Sequence, residues 1–125
     1  MTGGLTFDTG ALIALERRRQ RIARIYTTAV AEGFIITVPS AVIVEWWRGR
    51  SEARDTILRG LRIQPVDAVL AKMAGVALAA VRTATVVDAV VMASAAQRGD
   101  IVYTSNFDDL ERLRSHFPAV RVLRV

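Results

Sequence analysis

At 125 residues, 52% of them hydrophobic, and without a low-complexity tract, the chain is long enough for one domain, spanning 1–125, with roughly two thirds of its surface buried. Cysteine is absent and His116 is the single histidine, which excludes disulfides, thiolate metal sites and His-rich zinc sites, so any metal must be held by oxygen. A net charge of +5 favours phosphate-rich or acidic partners through long-range attraction.

In chain order, "MTGGLTFDTG" lacks the basic and long apolar regions of a secretory signal. "LTFD" (5–8) reads as a short buried strand ending in an acid, and "TGALIALERR" continues at helical spacing. A second helix is expected over Arg21 to Glu32, stopped by Gly33. "FIITV" (34–38) is β-branched and bounded by Pro39, hence a buried strand, followed by a helix from about Ser40 that carries Glu45. Ser51 to Leu58 is polar enough for an exposed helix, and "LRIQPV" (61–66) suits only a sheet edge, because Pro65 cannot donate to a ladder.

Helices are expected over Asp67 to Val81 and Asp88 to Arg98, then a strand "DIVYTS" (100–105), a short helix from Asp108 to about His116, and a last strand "VRVLRV" (120–125). The likeness of "PVDAVLAKMA" to "VVDAVVMASA" is what two capped apolar helices share by coincidence. Apolar stretches such as "MAGVALAAV" fall well short of the roughly 20 residues that span a bilayer, so a soluble, cytoplasmic protein is expected. Strands alternating with helices predict an α/β fold with a mostly parallel sheet covered on both faces.

Ligands of such sheets bind beyond the carboxyl ends of the strands. Asp8 ends the first strand, Glu45 follows the second, Asp88 opens the helix before the fourth, and Asn106, Asp108 and Asp109 follow the fourth. Each acid has an ordinary structural explanation. Asp67 and Asp88 suit N-caps, Asp108 with Glu111 matches a capping box, and Glu45 can pair with Arg48 on one helix face. Taken together, carboxylates converging on one low-dielectric rim repel one another unless a cation or a shared proton compensates. Oxygen-only ligands suit Mg²⁺ or Mn²⁺, and an acid cluster in a basic chain points to phosphodiester chemistry.

At these residues the chain resembles the PIN-domain family, and within it the VapC-type toxins of bacterial toxin–antitoxin pairs. The matching pieces are "LTFDTGALIAL", "VPSAVIVEWWRG", "VVDAVVMASAAQRGDIVYTSNFDDLERL" and the closing "VRVLRV", in family order along nearly the whole chain. The resemblance implies a three-layer α/β/α fold and a Mg²⁺- or Mn²⁺-dependent endoribonuclease. It further implies a homodimer, inhibited by a cognate VapB-type antitoxin. By matching positions, Asp8, Glu45 and Asp88 take the family's first three acidic places, and Asn106 stands where Asp is common, leaving Asp108 or Asp109 as the fourth charge.

The mechanism so implied is attack on an RNA phosphodiester by metal-activated water. Asp8 and Asp88 would hold the ion, Glu45 would orient or deprotonate the water, and Asp108 would complete the site. Two rival readings carry the same fold, a PIN-like binding module impaired in catalysis and a nuclease of RNA processing. A phosphoacceptor receiver domain would need a lysine after its last strands, and Lys72, the single lysine, lies in mid-helix.

Five arginines crowd "ERRRQRIAR" (16–24), where a solvated helix end and a contact to RNA or antitoxin weigh equally; Arg17, Arg18 and Arg21 are its candidate contacts, with Trp46 and Arg48. Adjacent Trp46 and Trp47 point about 100° apart on a helix, so one belongs to the core and the other to an interface.

Overall fold

The structure is a computed structural model that describes residues 3–125. Its elements follow one another as β1 (Leu5–Phe7), α1 (Thr9–Glu16), α2 (Gln20–Ala31), β2 (Ile36–Pro39), α3 (Ser40–Trp46), α4 (Glu52–Arg59) and β3 (Arg62–Gln64). They continue as α5 (Ala68–Ala80), α6 (Val86–Arg98), β4 (Ile101–Thr104), α7 (Phe107–Leu113) and β5 (Arg121–Arg124). Every expected element is present, and the differences lie at the ends.

The local stops obey the expected chemistry. Gly33 and Gly99 sit at φ 77° and 72°, the left-handed region that glycine enters without steric cost. Asp67 caps α5, its side chain accepting from the Leu70 N–H at 2.9 Å. Two expected caps are corrected. Helix α6 begins two residues before Asp88, capped by Thr85, whose hydroxyl accepts from the Asp88 N–H at 3.2 Å. Helix α7 begins at Phe107 after Asn106, so Asp108 lies inside its first turn and makes no capping box with Glu111.

All five strands are parallel, in the order β3-β2-β1-β4-β5. From β1 the chain steps outward to β2 and β3, then returns across β1 to add β4 and β5. Because parallel crossovers are right-handed, this reversal puts α1 and α2 on one face and α5 and α6 on the other. The strands are therefore buried on both sides: Thr6 and Phe7, neighbours on β1, both have no exposed surface. Edge strand β3, by contrast, exposes Arg62 and Ile63.

The main core joins Phe7, Leu12, Ile22, Ile36, Trp46, Met92, Leu110 and Leu113, all fully buried. Each such side chain contributes roughly 1.5–3 kcal/mol through burial. A second cluster of Leu70, Ala74, Ala89, Val90 and Ala93 glues α5 to α6. At the amino edge of the sheet, Asp100 is 3% exposed and ties three segments together. It accepts from the Gly4 N–H and the Thr6 hydroxyl, both at 2.8 Å, and from Arg98 Nε at 2.9 Å. None of the helices is long and apolar enough to cross a membrane, among the described residues.

Candidate active site

The chain reverses its direction of strand addition between β1 and β4, and open parallel sheets bind ligands at the carboxyl side of such a point. Asp8 leaves β1 there with an extended backbone (φ −89°, ψ −178°) and caps α1, one carboxylate oxygen accepting from the Ala11 N–H at 2.8 Å. The other oxygen accepts from the Thr104 hydroxyl at the end of β4. Thr104 Oγ1 in turn accepts from the Asn106 N–H at 2.8 Å, which fixes the hydroxyl.

Asp8 is 3% exposed, and burial pushes its carboxyl from the ordinary 3.8 to about 6. The hydrogen bonds from Thr104 and Ala11 oppose the rise, while repulsion from Asp88 and Glu45 adds to it. The Asp88 carboxyl is also raised, again mainly by burial, with repulsion from Asp109 and Glu45 outweighed in part by Thr85 and Arg112. Glu45 is exposed on α3 and accepts from the Thr9 hydroxyl at 2.6 Å. Asp8, Glu45, Asp88 and Asp109 thus form one electrostatically linked set drawn from five elements or their flanks.

Asp108, expected to complete this set, is exposed, whereas Asp109, ion-paired to Arg112, is the neighbouring acid whose charge bears on Asp88. One residue is about 100° of helix rotation, enough to turn Asp108 to solvent and Asp109 toward α6. Asn106 is exposed and makes no side-chain cap. Thr9, Thr104 and Arg112, each holding one of the acids, had no assigned role from sequence. Hydroxyls directly after an Asp-terminated strand, and the "T-S-N" turn after β4, were the available signals.

The donors are carboxylate oxygens, with Asn106 and two threonine hydroxyls beside them, which matches a hard divalent cation in chemistry. Among the described residues no three acidic, His or Cys side chains stand at ligating distance from a common point. Three of the acids are instead engaged by protein donors, Asp8 by Thr104, Glu45 by Thr9 and Asp109 by Arg112. Glu45 and the Asp109–Arg112 pair are solvent-exposed, so those two contacts are weak competitors for a cation.

Among the basic and aromatic candidates, Arg17, Arg18 and Arg21 are exposed around the α1–α2 turn. Trp46 is fully buried, with Nε1 donating to Glu16 at 3.0 Å, so it is the core member of the pair and not a surface contact; half-buried Trp47 packs edge-on against it. Arg48 pairs with Glu16 at 3.3 Å and not with Glu45. A concavity of about 280 Å³ lies at the amino edge beside Arg98 and Asp100, at the opposite end of the sheet from Asp8, Glu45 and Asp88. A wider groove of about 500 Å³ adjoins them at Gly10 and Ser105.

A fully parallel sheet between helical layers, with acids clustered at its switch point, defines a three-layer α/β/α PIN-like fold. That fold is shared with several solved structures, VapBC complexes among them. A chain of VapBC2 from Rickettsia felis, bound to a DNA fragment from its promoter, superimposes with TM-score 0.77 at 12% identity, covering 97% of this chain and 98% of that one. DNA-bound VapBC from Salmonella typhimurium gives 0.73 at 18% identity, covering 98% of each chain. PAE2754 from Pyrobaculum aerophilum gives 0.61 at 18%, covering 98% of this chain and 92% of that one. No family profile matches this chain, and no curated protein is similar to it in sequence.

Proposed function

We propose that this chain is a divalent-metal-dependent endoribonuclease of the VapC-like toxin kind, restrained by an antitoxin protein. The observation that carries the reading is Asp8, a buried carboxyl raised to about 6 at the topological switch point and repelled by Asp88 and Glu45. Carboxylates gathered on one rim around a buried member repel one another unless a cation or a shared proton compensates, and a cation is the compensation that would be useful chemically. The fold-level likeness to VapBC chains supports the choice of an antitoxin as partner, while RNA as substrate rests on the resemblance of the sequence motifs and on the basic charge of the chain.

Asp8 and Asp88 would hold Mg²⁺ or Mn²⁺, with Asp109 or Asn106 completing the site. When bound, such an ion supplies charge neutralisation at the phosphate and acidifies water beside it. Thr104 holds Asp8 in one orientation, and the Ala11 N–H fixes its second oxygen. Glu45, reaching from α3 and steadied by Thr9, would take the proton from the attacking water. No histidine or serine nucleophile is required. A homodimer is supported by Val69 and Val76 of α5, 63% and 60% exposed, which leave an apolar face for a second copy.

The test is cleavage of a structured RNA pool by the purified protein with Mg²⁺, with Mn²⁺ and with chelator, beside Asp88→Asn. Metal-dependent cutting that the variant loses supports the reading. Metal binding without cutting, by folded protein free of antitoxin, would favour a binding module instead, the reading that Asn106 in place of an acid supports. Cutting confined to one precursor RNA would reassign the same chemistry to RNA processing.

A further inference from the structure

The groove beside the acidic rim is lined by Gly10, Ile13, Ala14 and Val125 and walled by Arg17, Arg19 and Arg21. Its near end is made by the residues next in sequence to the acids' supports. Gly10 follows Thr9, which holds Glu45, and Ser105 follows Thr104, which holds Asp8. A methyl group on Gly10 would sit 1.8 Å from Ser105 Oγ, so the two segments close against each other at the groove's end. No Asp or Glu lines it, and Arg17 and Arg19 have no ion-pair partner among the described residues. Arg21 donates to the Arg124 carbonyl at 3.0 Å, and Arg124 stacks over Phe107 at 4.1 Å, which continues the cationic border onto α7.

The turn that builds the wall is unusual. Arg18 has φ 58°, the one non-glycine residue in the left-handed region among those described. Its N–H donates to Leu15 O and the Arg19 N–H to Ala14 O, both at 3.0 Å, the pattern in which glycine is the common stop residue. Because the chain turns at Arg18, Arg17 and Arg19 fall on one side, while Arg18 faces a second groove lined by Glu16 and Glu52. The charged side chains lining the first groove are all arginines, whereas the second carries acids beside Arg18. A polyanion is matched by the first alone.

We infer that this cationic groove seats the sugar–phosphate backbone of single-stranded RNA on one side of the scissile phosphate, held by Arg17, Arg19 and Arg21. The assignment rests on the nuclease reading for the position of the scissile phosphate, and it makes the arginines binding residues and not catalytic ones.

Its test is anisotropy titration of a labelled single-stranded oligoribonucleotide in chelator, over a salt series, with a parallel cleavage assay in Mg²⁺ and Mn²⁺. The triple variant Arg17→Gln, Arg19→Gln, Arg21→Gln should weaken binding about tenfold or more and reduce the salt slope by about 2, the value for three lost phosphate contacts on a single strand. Arg59→Gln, Arg62→Gln, Lys72→Gln, exposed residues outside the groove and carrying the same charge change, should cost no more than about twofold from the weaker general field. The lysine counterpart of the groove triple should recover most of the affinity and guards against a folding defect. Equal losses in the two triples, or parent-like binding by the groove triple, would overturn the assignment. So would unchanged RNA affinity with lost binding of a polyglutamate peptide, which would give the groove to a protein partner. A parent that binds RNA through the groove but cuts with neither metal would defeat the nuclease reading and leave the groove standing.

Discussion

Replacing Asp8 by Asn should stabilise the metal-free protein, and only above acidic pH. In the folded chain the carboxyl is raised from 3.8 to about 6 because its charged form has been taken out of water. That difference corresponds to roughly 3 kcal/mol. The sign follows from proton binding: between these values the folded state holds a proton that the unfolded state has released. Stability from the protonated carboxyl is therefore fully present below 3.8 and lost as pH rises through about 6. The replacement side chain would carry no charge, could still accept from the Ala11 N–H, and would present its amide to Thr104 Oγ1. Chemical and thermal denaturation of parent and Asp8→Asn in chelator, from pH 4 to pH 8, should reveal a gap that grows in the variant's favour by up to roughly 3 kcal/mol, or about 10 °C in melting temperature for a chain of this size. Titrations of groups remote from Asp8 cancel in the comparison, while Asp88 and Glu45, relieved of its repulsion, move with it. Added Mg²⁺ at pH 8 should raise the parent's melting temperature and leave the variant's nearly fixed. A gap independent of pH, or one that moves toward the parent as pH rises, would refute the argument from burial.

Asp109→Asn should lower metal-dependent cleavage more than tenfold, while Asp108→Asn should stay within about twofold, because only Asp109 acts on Asp88. Rates of both variants on one RNA decide it. Gly10→Ala should cost about 1–3 kcal/mol in urea denaturation, since its methyl would meet Ser105 Oγ at 1.8 Å; adding Ser105→Gly should restore most of the loss. Asp100→Ala leaves Arg98 without its carboxylate in a nearly closed site, and a loss of about 3–5 kcal/mol is expected from denaturation.

Much of the fold was legible because its signals are local. "FIITV" before Pro39 is β-branched, Gly33 and Gly99 stop helices, and Asp67 caps one, and each works within a turn of itself. The acids beyond the strands were legible for the same reason, since strand direction alone places Asp8 and the residues after Thr104 on one edge. What escaped depends on helix phase and on distant partners. Thr85 and Asp88 are both able caps three residues apart, and the earlier start frees the Asp88 carboxylate to face the rim. That Asp109 and not Asp108 bears on Asp88, and that Trp46 and not Trp47 enters the core, each turns on one residue of phase. Glu16, which gathers Trp46, Arg48 and Arg54 from 30 or more residues away, leaves no mark in the sequence around it.

Strand β1 lies at the centre of the sheet although it is made first, and its carboxyl end is completed by Thr104, 96 residues after Asp8. At about 5–20 residues per second, a ribosome takes roughly 5–20 s to supply that partner. Until then one long edge of β1 has no neighbour, Asp8 has no hydroxyl to hold it, and α6, which carries Asp88, has no β4 to dock beside. The growing chain thus lacks the assembled acidic rim until β4 and the turn after it have been made, and a broken message or a stalled ribosome upstream of them would release a fragment in which Asp8 and Asp109 never meet.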